Sequence, residues 1–354
     1  MRLFSLTMLG CGCACTALAG GIDRSGQSIA AIFEDGTYSE FSFALARPDV
    51  SGVAGTASSG DMLSGYFRVG GAYKTTHGDK LDFGIILDQP FGASTNYPAG
   101  TGYPAAGARA KLNSYAATLI ANYDLSGGFG VHGGLRVQSM NANADLGFVA
   151  GYTNKADTDF GLGYVAGISY ERPDIAMRVS LTYNSAIDHS FDTFEDSAVT
   201  PAGTTTTDAS TPQSVNLEFQ TGIMADTLLF GSVRWVEWSE FDLTPASYLG
   251  ITSDSLVSYD DDTISYTLGV GRRFNEQWSG AFTVGYEEGT GGISSNLGPT
   301  DGYTSVGLGG TYTEGNMKIT GGVTYAWVGD ATTSLGTFED NTAMGMGFKV
   351  GFSM

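Results

Sequence analysis

The last eleven residues read MGMGFKVGFSM, Met344 to Met354. Met344, Met346, Phe348, Val350, Phe352 and Met354 are large and apolar, and Gly345, Gly347, Lys349, Gly351 and Ser353 stand between them. Strict alternation of this kind is a β-strand with two unlike faces. The fold turns on what the apolar face meets: a second sheet in a soluble sandwich, or lipid in a membrane barrel.

Working back along the chain, the same pattern recurs near 37–47, 63–75, 80–90, 112–124, 129–140, 161–171, 174–187, 213–224, 227–238, 263–273, 277–287, 303–312, 316–328 and 342–354. That makes fourteen segments, each near the ~9–11 residues that cross a bilayer at a tilt. Short connections (THGD, LSGG, RPD, MAD, FNEQ, TEGN) alternate with long ones at 48–62, 89–111, 141–160, 188–212, 239–262, 288–302 and 329–341. Segregating short and long connections to opposite ends is the habit of outer-membrane barrels, with short periplasmic turns and long external loops. The even count places both termini on the periplasmic side. Aromatics mark two edges of the apolar face, as in Trp278 and Tyr286 or Tyr115 and Tyr123. Eight residues at ~3.3 Å each, tilted, span roughly the height of a lipid-facing band. The expected fold is therefore all-β, a transmembrane antiparallel β-barrel of about fourteen strands over 37–354.

Composition agrees. The chain has 354 residues, 52 glycines, 9 prolines and 15% charged residues. Mean hydropathy is -0.02, and no run approaches the ~20 apolar residues of a membrane helix. The opening, MRLFSLTMLGCGCACTALAGG, carries Arg2, a short apolar core and small residues at Ala17-Leu18-Ala19. This reads as a secretory signal over 1–19, cut after Ala19. A lipoprotein reading through Cys11 is weaker because the preceding apolar stretch is short. All three cysteines, Cys11, Cys13 and Cys15, fall inside the signal, so no disulfide staples the mature chain. The formal charge of -20 argues against nucleic acid, which needs a basic face. The acids gather in DHSFDTFEDS (188–197), SYDDDT (258–263) and GTFEDN (336–341), read as solvated external loops. YDDDT is also a candidate contact for a divalent cation or lipopolysaccharide.

No motif calls for a cofactor or a catalytic centre. H-E-x-x-H, a Walker A loop and G-x-S-x-G are all absent, and GLGYVAG (161–167) lies within a period-two strand and not at a strand-to-helix turn. A non-enzyme is expected. The inward faces carry Arg68, Lys74, Arg136, Arg178, Arg234, Arg273, Lys318 and Lys349 against Glu40, Asp82, Asp88, Asp124, Glu171, Glu218 and Glu287. Such charges can pair across a lumen and support it, or hold the charged head of a ligand. By register alone, Arg136, Arg178, Arg234 and Lys318 are candidate carboxylate partners. Ile86, Ile120, Met140, Val165, Met224, Phe230 and Trp238 are candidates for an inward apolar pocket.

Four stretches resemble a known family. YERPDIAMRVSLTYNSAIDHSF (170–191) is similar to a strand–turn–strand segment of the FadL family, the long-chain fatty-acid transporters of the outer membrane. GSVRWVEWSEF (231–241) and DDTISYTLGVGRRFNEQWSGAFTVGYE (261–287) resemble its later strands, and AGGIDRSGQSIAAIFEDGTYSEFSFA (19–44) looks like the short start of alphaproteobacterial members. The resemblance implies fourteen strands, a hatch inside the lumen over residues 20–36 with Ile29, Ile32 and Phe33 as its apolar face, and lateral release by an irregular third strand. Pro90, flanked by Gly84 and Gly92, suits a kink there, or simply starts a loop. The Asn-Pro-Ala motif of many members is missing, and the hatch is short. The implied function is passive uptake of hydrophobic molecules, long-chain fatty acids first, by a monomer embedded in outer-membrane lipid and lipopolysaccharide. Alternatives are an aromatic-hydrocarbon channel, an open diffusion porin, and a structural or adhesive barrel.

Overall fold

The computed structural model describes residues 22–354; the expected signal segment lies outside the described residues. The chain closes into one antiparallel barrel. Its fourteen strands are β1 (Tyr38–Asp49), β2 (Tyr66–His77), β3 (Leu81–Asp88, resuming at Gly92–Asn96), β4 (Arg109–Asp124), β5 (Phe129–Leu146), β6 (Tyr152–Arg172), β7 (Met177–Asn184 and Ile187–Asp196), β8 (Gly203–Thr211 and Ser214–Met224), β9 (Thr227–Val236), β10 (Thr263–Arg273), β11 (Trp278–Glu287), β12 (Tyr303–Glu314), β13 (Met317–Val328) and β14 (Thr342–Ser353). Closure comes from β1, which pairs with β14 from Tyr38↔Ser353 to Asp49↔Thr342 and with β2 on its other side. The quoted C-terminal stretch is thus the closing strand. Met344 and Met346 of its apolar face are 57% and 53% exposed on the barrel exterior.

The exterior answers the question of solvent. Phe67, Leu119, Phe160, Leu162, Leu268 and Leu308 are all more than half exposed. An apolar belt around a closed sheet suits hydrocarbon, where every backbone group must be satisfied within the wall. The same apolar surface in water would be a severe liability.

The wall is not level. β4, β5 and β6 have 16, 18 and 21 residues, whereas β10 and β11 have 11 and 10. At ~3.3 Å per residue and a tilt near 45°, β6 climbs roughly 50 Å, about twice the ~25 Å apolar band. This corrects two expected loops. Residues 141–160 and 188–212 are largely strand. IDHSFDTFED (187–196) alternates fully buried and exposed residues, but its outward face is polar apart from Phe194, so the alternation looked like a solvated loop. Long connection 239–262 carries a two-turn helix, α1 (Ala246–Thr252).

Two seams interrupt the ladder. Between β2 and β3, pairing runs from His77↔Leu81 to Gly71↔Leu87 and reappears only at Leu63↔Thr95. Against β4, Asp88 faces Ala116 and Gly92 faces Asn113, so β3 carries one residue more than its partner. Pro90 therefore sits at a kink and does not start a loop, since the strand resumes two residues later. Between β6 and β7, pairing stops at Asn184↔Val165 and resumes at Thr193↔Ala156.

Candidate functional site

The lumen divides into two storeys. At the short-turn end it is filled by residues 22–36, which rise from the start of β1 to the kink in β3. Ile29 and Ile32, both 1% exposed, pack with Ile120 and Val165, and Phe33 and Ile86 flank them. A single 3₁₀ turn, Ala30–Phe33, presents this face. Gly84 gives Ile32 room, because a Cβ on Gly84 would lie 3.0 Å from Ile32 Cδ1. Charges secure the rest. Arg234 Nε donates to Asp23 Oδ2 at 2.6 Å, with further bonds to Ser214, Asn216 and Gln27. Lys318 pairs with Glu34 at 3.3 Å, and Lys74 Nζ donates to the Glu34 carbonyl at 2.7 Å. The Arg178 guanidinium lies 4.8 Å over the Phe33 ring.

The four cations chosen by register are thus in the lumen, but three of them hold the hatch. The fourth, Arg136, is buried in the wall, donating to Thr118 and Asn184. Wall charges also pair among themselves, Lys74 with Asp82 at 2.8 Å and Lys349 with Glu40 at 3.1 Å.

Above the hatch, toward the long loops, the storey is apolar. A partly open cavity is lined by Leu63, Tyr66, Leu112, Phe241, Leu243 and Leu256, among others. Met140 and Trp238 stand behind its wall, fully buried in a cluster with Phe91, Leu112, Phe241 and Leu243. The Trp238 ring meets Phe91, Phe241 and Tyr259 with centroids 5.2–5.9 Å apart. Ile120, Val165 and Ile86 face the hatch, and Phe230 packs lower down with Leu228 and Ala281. Met224 is 62% exposed. It was expected inside, but a register shift between Gly222 and Met224 turns the end of β8 outward. A roof closes over the cavity as the loops pack on one another. Val50, Met62, Tyr97, Tyr103, Leu256, Leu297 and Phe338 form one buried cluster, and Tyr97 donates to the Asn296 carbonyl at 2.6 Å.

The hatch reaches the cavity floor at the β3 kink. The Pro90 carbonyl accepts from Arg24 N at 2.8 Å and Ser25 N at 3.3 Å, and Gly92 N donates to the Ile22 carbonyl at 2.8 Å. Ser25 Oγ donates to Asp88 at 2.6 Å. Ile22, Asp23 and Arg24 line the cavity. The amino-terminal end of the described chain is therefore inside the lumen and not at the short-turn rim, where Met354 N donates to the Thr37 carbonyl.

Register reasoning missed Arg24, Tyr66, Phe241, Leu243 and Leu256. Arg24 belongs to the hatch, whose path no strand pattern reveals. The loop residues carried a signal, since FDLTPASYLGITSDSLVSY (241–259) is more apolar than a solvated loop needs.

No family model matches the sequence, and no curated protein matches it. Solved structures do. A Pseudomonas aeruginosa FadL homologue superposes with a TM-score of 0.76 at 13% identity, covering 91% of each chain. The fold is that of the FadL-type barrels. The P. putida toluene transporter TodX gives a TM-score of 0.67 at 12% identity over 92% of this chain and 91% of its own. The CymD monoaromatic hydrocarbon channel gives 0.60 at 14% identity, over 93% and 90%. Residues 22–36, about fifteen described residues, fill the lower part of this barrel's lumen.

Proposed function

We propose that this FadL-type barrel is an outer-membrane channel that passes hydrophobic molecules inward without an energy source of its own, with long-chain fatty acids as the first substrate class. The cavity carries the reading. It is largely apolar and partly open, with loops above and residues 22–36 below, and borders the β2–β3 seam. A concave apolar site with a few polar groups at one edge is how proteins hold amphiphiles. Arg24 supplies the positive edge for a carboxylate. Lateral release would follow the seam past Gly84, Pro90 and Gly92 once the hatch withdraws. The short-turn end would face the periplasm, and the apolar belt would sit in outer-membrane lipid beneath lipopolysaccharide. A closed barrel leaves no strand edge needing a partner, which favours a monomer.

Uptake of aromatic hydrocarbons is the second reading. Aromatic lining from Tyr66, Phe241 and Tyr259 favours it, and two structural neighbours are named as toluene or monoaromatic channels. An open diffusion porin fits poorly with a lumen filled by residues 22–36.

The test is a titration of detergent-folded protein with oleate and, in parallel, toluene, followed by tryptophan fluorescence. Trp238 touches the cavity lining, whereas Trp278 and Trp327 are half exposed on the exterior. A saturable oleate signal lost in Trp238→Phe supports the fatty-acid reading. A signal with toluene alone moves the assignment to hydrocarbons, and none with either rejects the ligand cavity.

A further inference from the structure

The β2–β3 seam is not empty. One side chain, Arg24, crosses it from inside. Its guanidinium carbon lies 4.0 Å over the Tyr66 ring of β2. The guanidinium also rests on bare backbone of β3, because a Cβ added to Gly92 would fall within it. Arg68, also on β2, donates from Nη1 to the Arg24 carbonyl. The backbone N–H of Arg24 is bonded to the Pro90 carbonyl at the kink. Arg24 thus touches both strands where they fail to pair with each other, between Gly71↔Leu87 and Leu63↔Thr95. The same residue lines the cavity.

A cation in this position has two competing uses. Stacked on Tyr66, it fills the seam and is held by the attraction of a cation for an aromatic face. Paired with an anion in the cavity, it gains a charge-assisted hydrogen bond of comparable or greater strength in a low-dielectric site. A ligand that binds the displaced form better shifts the population toward it. We propose that Arg24 is the specificity-determining closure of the lateral seam: the head group of an anionic long-chain amphiphile draws its guanidinium off Tyr66 and Gly92, so that cargo of that charge unlocks its own exit. This inference rests on the channel reading above and adds the residue that couples binding to release. A neutral hydrocarbon could occupy the cavity but would leave Arg24 in the seam.

The experiment compares oleate with oleyl alcohol, which have the same chain and differ in head-group charge. Binding is read by tryptophan fluorescence, and release by the rate at which each prebound ligand passes from the protein into the bilayer of detergent-free proteoliposomes. Wild type is expected to favour oleate over the alcohol by about tenfold or more, the scale of one hydrogen bond to a charged group. Arg24→Met keeps the stem and removes the charge. It should bind both ligands alike and release the alcohol faster than wild type. Gly92→Ala leaves Arg24 in the chain but displaces it, and should also speed release of the alcohol, which guards against misfolding of either variant alone. Arg24→Lys should keep part of the preference. Wild-type oleate binding with an unchanged oleate-to-alcohol ratio in Arg24→Met, or unchanged alcohol release in both variants, would overturn the closure while leaving the channel reading standing. Failure of wild type to bind any of oleate, oleyl alcohol or toluene would sink the channel reading itself, and this inference with it.

Discussion

The two interruptions of the wall are closed in opposite ways. At β2–β3 the filler is Arg24, borrowed from the hatch, a segment tied to the wall by hydrogen bonds and ion pairs. At β6–β7 the filler belongs to the wall. Ile187 of β7, 2% exposed, leans across onto Gly161 and Gly163 of β6, and a Cβ on Gly163 would lie 2.6 Å from Ile187 Cγ1. Side-chain bonds replace the missing ladder there: Tyr164 N donates to Ser185 Oγ at 2.9 Å, and Ser190 N to Asp159 Oδ2 at 3.3 Å. A seam filled by its own strand opens only if the strand moves. A seam filled by a separate segment can open while the barrel stands. The contrast suggests one movable wall and one fixed wall.

Removing the anchor of the hatch is the strongest way to break this contrast. Arg234→Ala would leave Asp23 buried without its partner, at a cost of about 3–5 kcal/mol. Hatch residues should then become accessible to protease while the strand signal in circular dichroism persists. Loss of the strands together with the hatch would mean that the two are one cooperative unit. Ile187→Ala comes next, at about 2–5 kcal/mol for a buried Ile truncation. Thermal unfolding should shift down with ligand affinity unchanged. A change in affinity would show that the β6–β7 seam also communicates with the cavity. Overfilling the same seam with Gly163→Val should cost about 1–3 kcal/mol, again visible in unfolding and silent in binding.

The smallest effect concerns the roof. Glu195 is held by hydrogen bonds from Tyr152 Oη, Thr205 Oγ1 and the backbone N–H groups of Ser247 and Tyr248 at the start of α1. Burial alone would raise its pKa, but these donors outweigh it and hold the carboxylate below the ordinary value of 4.5. The stabilisation is present above the unfolded value and is lost as pH falls through the lower folded one. Loop 239–262 should therefore stay docked at pH 4.5 and loosen only in stronger acid, read by amide exchange at Ser247 and Tyr248. Glu195→Gln should shrink that pH step; an unaltered step would place its origin elsewhere.

Much of the barrel was legible because lipid enforces a repeating rule. Every segment that crosses it must alternate, and fourteen such segments with alternating connection lengths leave few other architectures. The rule lapses above the membrane, which is why the upper parts of β5 to β8 looked like loops. The site was legible in type but not in place. Arg234 and Lys318 do point inward, as their register required, but whether a luminal cation is spare depends on what fills the lumen. Asp23 and Glu34, fifteen and four residues before the start of β1 at Tyr38, lie in a segment with no periodicity to fix its path. Arg24 was invisible for the same reason. Its partners Tyr66 and Gly92 are distant in sequence, and only the unpaired stretch between β2 and β3 gives its position meaning.

The most direct test of the movable wall is to pin it. Ser25 and Asp88 touch across the hatch–β3 contact, and Cys11, Cys13 and Cys15 all precede the described residues. A Ser25→Cys/Asp88→Cys pair, oxidised in proteoliposomes, would fix the hatch beside the kink. Oleate flux through the protein should fall to the level of empty liposomes and return on reduction, with oleate binding retained in both states. Undiminished flux through the oxidised protein would contradict a hatch-controlled seam.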